Sequence, residues 1–342
     1  MSSQHKPSPE ILPTHTPALF DVAVARTTEA LRAGEVVALP TETVYGLAAN
    51  ALDERAVAKI FEIKGRPAHN PIIVHVAGID MAGRCVREWP ETAAKLAAAF
   101  WPGPLTLVLQ RAKEIPDIVT AGGNTVGVRW PSHPFIQVVI RACDFPLAAP
   151  SANLSNSISP TNAAHVCSSL GDRLGLIVDG GQSQVGIESS VLDLTANPVR
   201  VLRPGMIHAK SLAAVLGEGG LQGSDGPDGG PLRSPGQLRK HYSPKARLIV
   251  LEWRDDSDLL AQLARAGISA AGCQVIAHSR IPGSASVAGI SVIPHDAEAY
   301  ARAMYGELHR CDAVGAECIV IEALPGGAEW QAIADRLRRA AG

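Results

Sequence analysis

Six short stretches place polar side chains where a turn or a core strand has no local need of them. "PTETVYG" ends the apolar run "EVVALP" in Thr41, Glu42, Thr43 and Tyr45 before Gly46. A turn needs Gly, Asn, Asp or Pro, not two threonines, a glutamate and a tyrosine. "KGRPAHNP" gathers Lys64, Arg66 and Asn70 around a Gly–Arg–Pro turn. Arg binds phosphate oxygens in pairs and Lys supplies a point charge, so this loop suits an anion. An exposed basic helix end, favoured by its own dipole, would read the same way.

"TVGVRW" alternates. Val126, Val128 and Trp130 share one face, while Thr125, Gly127 and Arg129 share the other. The second face offers a hydroxyl, a bare backbone position and a guanidinium, which suits a carboxylate or phosphate. An Arg paired with Glu42 or Glu188 is the alternative. His75, in "IIVHV", reads as a core histidine unless the basic loop just before it makes a site. "AAPSANLSNSISPT" places Ser151, Asn153 and Ser159 after a buried run, "GIESSVLDL" places Glu188, Ser189 and Ser190 at a strand start, and "VRVLRPG" ends in Arg203. Polar groups that recur at strand ends mark the ligand side of an α/β sheet.

The elements that must position these groups follow from periodicity. A helix is expected over "ALFDVAVARTTEALRAGEV", with Gly34 as its stop. A second runs through "LDERAVAKIFEIKG", capped by Asp53 and ended by Gly65, which puts Lys64 on its last turn. A third covers "TAAKLAAAFWPG" and a fourth lies around "TNAAHVCSSLG". Strands are expected at "EVVALP", "NPIIVHV", "LTLVLQ", "TVGVRW", "PLAAPS", "LIVDGG", "SSVLDL" and "VRVLRPG". Strands outnumber helices here, which points to α/β with a mixed sheet. Beyond residue 216 a Gly/Pro/Ser/Asp-rich run has no periodicity and reads as a linker. "RLIVLEW", "DDSDLLAQLARAG", "CQVIAHS", "AEAYARAMYGELHRC", "CIVIEAL" and "WQAIADRLRRAA" then alternate as a small βαβ-type domain. The expected division is a flexible arm over 1–17, a first domain over 18–215, a linker over 216–245 and a closing domain over 246–342.

A net charge of −2 and 4% aromatic residues argue against general nucleic-acid binding. The six cysteines show neither CxxC nor zinc spacing and are expected as free thiols in a reducing cytoplasm. No run approaches eighteen apolar residues, and the start lacks the apolar stretch of a signal peptide, so no membrane association is expected. The Walker-type G-x-x-x-x-G-K-[ST], G-x-G-x-x-G and G-x-S-x-G patterns are missing. A bound phosphate must therefore be held by side chains and irregular loops.

Taken in order, "LPTETVYGLAANAL", "AVAKIFEIKGRPAHNPIIVHV", "FWPGPLTLVL", "TVGVRWPSHP", "PLAAPSANLS" and "VLRPG" closely resemble the YrdC-type domain of threonylcarbamoyl-AMP synthases over residues 18 to 213. The linker with "SPGQLRKHYSP" and the closing domain look like the long, two-domain form. The chain departs from the family at Ala48 and Asn156, where Gly is frequent, and at Ser190, where Thr is frequent.

The resemblance implies a twisted mixed sheet with a large concave cavity, followed by a small βαβ, Rossmann-like domain. It implies that L-threonine, bicarbonate and ATP, with Mg²⁺ carried by ATP, give threonylcarbamoyl-AMP and pyrophosphate. The product would pass to a separate transferase complex that modifies tRNA; direct tRNA binding is not expected. By motif, Thr43, His75, Arg129, Ala149 and Ser189 would line the threonine site. Lys64, Arg66, Asn70, Thr125, Ser151, Asn153, Ser159, Arg203 and Tyr242 would hold ATP, with Tyr242 as part of a lid. Lys64 and Arg66 would stabilise charge, and no nucleophilic side chain or protein ligand to a metal is implied. An RNA-binding module and a nucleotide-hydrolysing relative of the same fold are the alternatives.

Overall fold

The computed structural model describes residues 8–217, 219–223, 235, 241–283 and 287–342. The chain forms two compact units. The first comprises Met1–Ser155, Ser159–Gln184 and Glu188–Gln237; the second comprises Asn156–Ile158, Val185–Ile187 and Leu238–Gly342.

In the first unit an eleven-stranded mixed sheet runs in the order Glu10–Pro13, Leu176–Asp179, Val37–Leu39, Gly46–Asn50, Leu147–Ala148, Val74–His75, Thr125–Arg129, Leu105–Gln110, Ser190–Asp193, Val199–Arg203 and Leu221–Gln222. Its centre sets the site. Val74–His75 lies parallel to Thr125–Arg129, with Val74 opposite Val128 and His75 opposite Arg129. Thr125–Arg129 is antiparallel to Leu105–Gln110, which runs parallel to Ser190–Asp193. A Cβ at Gly127 would lie 3.2 Å from Thr106 Cγ2 on the neighbouring strand, so glycine leaves room there for the Thr106 side chain.

The Glu54–Lys64 helix forms as its signals dictate. Asp53 caps it by accepting from Arg55 and Ala56 N–H, and Gly65 ends it at φ 58°. Ala56, Val57 and Ile60 face the core, and Lys64 is buried with them. The Pro17–Arg32 helix buries Ala23 and Leu31, and its Phe20 ring meets Phe135 edge-on at 5.3 Å.

Some expectations fail. Glu10–Pro13 is not part of a flexible arm: it pairs in parallel with Leu176–Asp179, because Ile11 and Leu12 continue an apolar strand next to Ile177. "NPIIVHV" and "PLAAPS" keep only two paired residues each, Val74–His75 and Leu147–Ala148. The flanking Pro71, Pro146 and Pro150 have no N–H to give a ladder. Within the expected linker, Leu221–Gln222 is a strand parallel to Val199–Arg203. Residues 218, 224–234 and 236–240 of the expected linker lie outside the described residues, while Tyr242, expected as part of its lid, is described and buried. The Pro134–Cys143 helix did not figure among the expected elements. Pro134 opens it, and Phe135, Ile136, Val139, Ile140 and Cys143 are its buried face.

The second unit meets the expectation of a βαβ domain. Its four strands are all parallel, in the order Arg247–Leu251, Cys318–Glu322, Cys273–Ala277, Gly289–Val292. Helices Asp256–Arg265, Ala297–Ala313 and Gln331–Ala341 accompany them. Trp253, Leu259, Leu263, Val275 and Val320 form its core. Asn156 adopts φ 67°, the left-handed conformation that glycine takes most readily. The six cysteines are free thiols. Among the described residues no helix is long and apolar enough to cross a membrane.

Candidate functional site

The site is built around the segment Thr41–Tyr45. Its backbone is stitched to two others: Tyr45 N donates to Pro160 O (2.8 Å), Ala152 N to Tyr45 O (2.8 Å) and Leu47 N to Pro150 O (2.7 Å). Thr41 Oγ1 donates to Val44 O at 2.6 Å and lies 2.9 Å from Thr43 Oγ1, which locks the turn from within. Ser183 Oγ donates to Thr41 O at 3.0 Å. The Tyr45 hydroxyl donates to Gly181 O at 2.7 Å and accepts from Gly180 N at 3.1 Å. Burial raises that phenol above its usual range, so it stays a donor. Tyr45 therefore anchors a wall, as does Thr41.

Glu42 and Thr43 point to Arg129. Its Nη2 donates to Glu42 Oε1 at 2.6 Å, its Nη1 to Thr43 Oγ1 at 3.0 Å, and its Nε to Gly103 O at 3.3 Å. Both charged side chains are 4% exposed. The sequence alternative of an Arg paired with Glu42 is thus realised, yet it leaves the Arg with capacity: three of its five N–H groups are used. His75 is its neighbour across the strands. Desolvation first, and then the Arg129 charge, push the imidazole well below its usual range, so it is neutral at pH 7.

Lys64 and Arg66 are not an exposed basic helix end. Both are buried. Lys64 Nζ donates to Ser151 O at 2.5 Å and Asn153 O at 2.6 Å, and Ser155 N donates to Lys64 O at 2.9 Å. The helix end and the Ser151–Asn153 loop are thereby one rigid piece. Burial, then the Arg66 charge, pull the Lys64 ammonium well below the usual lysine range. Arg66 spans the turn, donating from Nε to Asn70 O (3.0 Å) and from Nη2 to Asn70 Oδ1 and Pro71 O (both 2.7 Å). The register of His75 with Arg129 carries Thr125 back towards Pro71, four residues or ~13 Å from Arg129 along the strand.

The remaining predicted residues join from the other side. Ser159 Oγ donates to Glu188 Oε1 at 2.5 Å. Ser189 Oγ lies 2.8 Å from Thr106 Oγ1 and accepts from Arg203 Nη2 at 3.1 Å, while Arg203 Nε donates to Ser189 O at 3.0 Å. Ala149 N donates to Ile73 O at 3.1 Å, which sets Ala149 beside the His75 strand. Tyr242 belongs to the second unit, where its ring meets His241 at 4.0 Å and lies 5.3 Å from the Arg336 guanidinium carbon.

Three buried polar atoms in the first unit's cluster have no hydrogen-bond partner: Glu42 Oε2, Asn70 Nδ2 and His75 Nδ1. Such orphans are rare in folded proteins and call for an explanation. The sequence offers Glu42 as one of two acids for Arg129, but its unpartnered oxygen has no sequence signal; Thr106 has one, a hydroxyl in the apolar run "LTLVLQ" that does not figure among the expected site residues.

The first unit is thus an α/β domain with a mixed sheet that buries Arg129 at a strand end, Lys64 and Arg66 at a helix end, and three unpartnered polar atoms. Comparison with known proteins specifies the kind. The Sua5/YciO/YrdC family, described as "Telomere recombination", matches residues 29–205, and the "Threonylcarbamoyl-AMP synthase, C-terminal domain" family matches residues 207–342. The threonylcarbamoyl-AMP synthase of Pyrococcus abyssi is 39% identical over 319 residues, 91% of this chain and 92% of that one. That of Bacillus subtilis is 39% identical over 325 residues, 94% of each. The crystal structure of P. abyssi Sua5 complexed with L-threonine superposes with a TM-score of 0.87 at 36% identity, covering 97% of both chains. The chain belongs to the threonylcarbamoyl-AMP synthase family, in its two-domain form.

Proposed function

We propose that this chain makes threonylcarbamoyl-AMP and pyrophosphate from L-threonine, bicarbonate and ATP, as a cytoplasmic enzyme whose product goes to a tRNA-modifying transferase complex. The observation that carries the reading is the buried Arg129 fork beside two unpartnered atoms, Glu42 Oε2 and His75 Nδ1. A relative of the same two-domain form has been solved with L-threonine bound.

Arg129's two remaining N–H groups suit threonine's carboxylate. Thr43, His75, Ala149 and Ser189 are assigned to that end with it. Threonine's nitrogen and bicarbonate give an N-carboxylate, whose oxygen attacks the α-phosphorus of ATP as pyrophosphate leaves. Both reactants are anionic, so the site must offset their repulsion and hold them in line. Lys64 keeps one N–H beyond its two carbonyl partners, and with Arg66, Asn70, Thr125, Ser151, Asn153, Ser159 and Arg203 it is assigned to ATP. Magnesium enters as part of the Mg-ATP substrate. Among the described residues no three His, Cys, Asp or Glu side chains are grouped to hold a metal. Glu42 and Glu188 are engaged by Arg129 and Ser159.

The test is pyrophosphate release, which should require threonine and bicarbonate together. Release of phosphate or pyrophosphate from ATP regardless of threonine would support a nucleotide-hydrolysing relative instead.

A further inference from the structure

We propose that Glu42 receives the proton that threonine's amino group gives up as the N-carboxylate forms. This rests on the reaction proposed above. Threonine's ammonium and bicarbonate yield the N-carboxylate, water and one proton: nitrogen gains a bond to carbon and loses two protons, one of which leaves with the bicarbonate hydroxyl as water. The other needs an acceptor among the buried groups of the site.

Glu42 has the geometry. Its side chain is 4% exposed, its Oε1 is fixed by Arg129 Nη2 at 2.6 Å, and its Oε2 is buried with no partner. A carboxylate oxygen in that state is a ready acceptor for an N–H. His75 Nδ1 is the other orphan, but a proton there would create a cation buried beside Arg129. Lys64 is held by two carbonyls. Glu42 also avoids a net change of charge. Threonine's carboxylate brings Arg129 a second counter-ion, so protonating Glu42 leaves the guanidinium paired and the amine neutral and nucleophilic. Before the transfer Arg129 faces two carboxylates and an ammonium; afterwards it faces one carboxylate.

Glu42→Gln tests this, because the amide oxygen can still accept from Arg129 while the proton acceptor is gone. In the forward direction, with threonine, bicarbonate and Mg-ATP, kcat should fall by about 10²-fold or more. In reverse, ATP formation from threonylcarbamoyl-AMP and pyrophosphate precedes loss of the carboxylate, so the reverse rate should fall at least about tenfold less than the forward rate. The melting temperature reports the fold separately. A forward rate within about threefold of the parent overturns the proposal. So does an equal fall in both directions, which assigns Glu42 only to holding Arg129. A parent chain that makes no threonylcarbamoyl-AMP overturns the underlying reading itself, and is told apart because the parent is measured first.

Discussion

His75 and Arg129 stand opposite one another on neighbouring parallel strands, both buried, with the imidazole's Nδ1 unpartnered. A cation beside a cation in a dry site is unfavourable, so one of the two must be neutral, and the guanidinium cannot be. This pair fixes the charge of the end we assign to threonine: one positive fork, one neutral ring and the Glu42 carboxylate.

The first consequence is for stability. His75 is neutral in the fold, whereas in the unfolded chain it takes up a proton near its usual value of 6.5. The unfolded state therefore binds more protons below pH 6.5, and stability falls with pH there, by up to about 1.4 kcal/mol per pH unit from this group. The melting temperature of His75→Asn should drop less between pH 7 and pH 5 than that of the parent. Equal slopes would show that His75 is protonated in the fold.

Arg129 holds Glu42, Thr43 and the Gly103 carbonyl together. Arg129→Ala should abolish threonine-dependent pyrophosphate release and lower stability by about 3–5 kcal/mol, since Glu42 is left as a lone buried charge. Arg129→Lys keeps the charge but loses the fork. It should lose about 100-fold or more in kcat/KM for threonine with much less change in KM for ATP. Near-normal turnover in either variant contradicts the assignment.

Lys64 carries a pH signature. Its ammonium is pulled well below 10.5 by burial and Arg66, and ATP phosphates would restore it. The complex then holds the proton more tightly than the free enzyme, so ATP affinity should weaken as pH rises through the depressed value. Calorimetry in buffers of different ionisation enthalpy should show proton uptake on binding, lost in Lys64→Met. Binding heats that do not depend on the buffer below pH 10.5 would count against it.

Arg66 braces the Asn70–Pro71 turn through three hydrogen bonds. Arg66→Ala should raise KM for ATP at least about tenfold and shift KM for threonine far less. A matching rise in both would place Arg66 in a general structural role.

Much of the fold was legible because helix signals are local. Asp53 and Gly65 bound the Glu54–Lys64 helix where they were read, and this put Lys64 in place. The site's strands were harder. Both "NPIIVHV" and "PLAAPS" read as strands, but their prolines leave only Val74–His75 and Leu147–Ala148 paired, and the runs themselves do not show which two residues join the central sheet. The Pro134–Cys143 helix is apolar and short, and only its packing separates it from a strand. Residue types at the site pointed to an anion. The Glu42–Arg129 pairing spans 87 residues, and one of two possible acids was chosen by the fold. The unpartnered Oε2 of Glu42 is a property of that pairing and has no signature in the sequence.

Synthesis of threonylcarbamoyl-AMP leaves a product whose mass and label can be read. Mass spectrometry of the full chain incubated with L-threonine, ¹³C-bicarbonate and Mg-ATP tests it most directly. Threonylcarbamoyl-AMP carrying one ¹³C should form, together with pyrophosphate, only when threonine and bicarbonate are both present. AMP or ADP alone, with no labelled adduct, would contradict it.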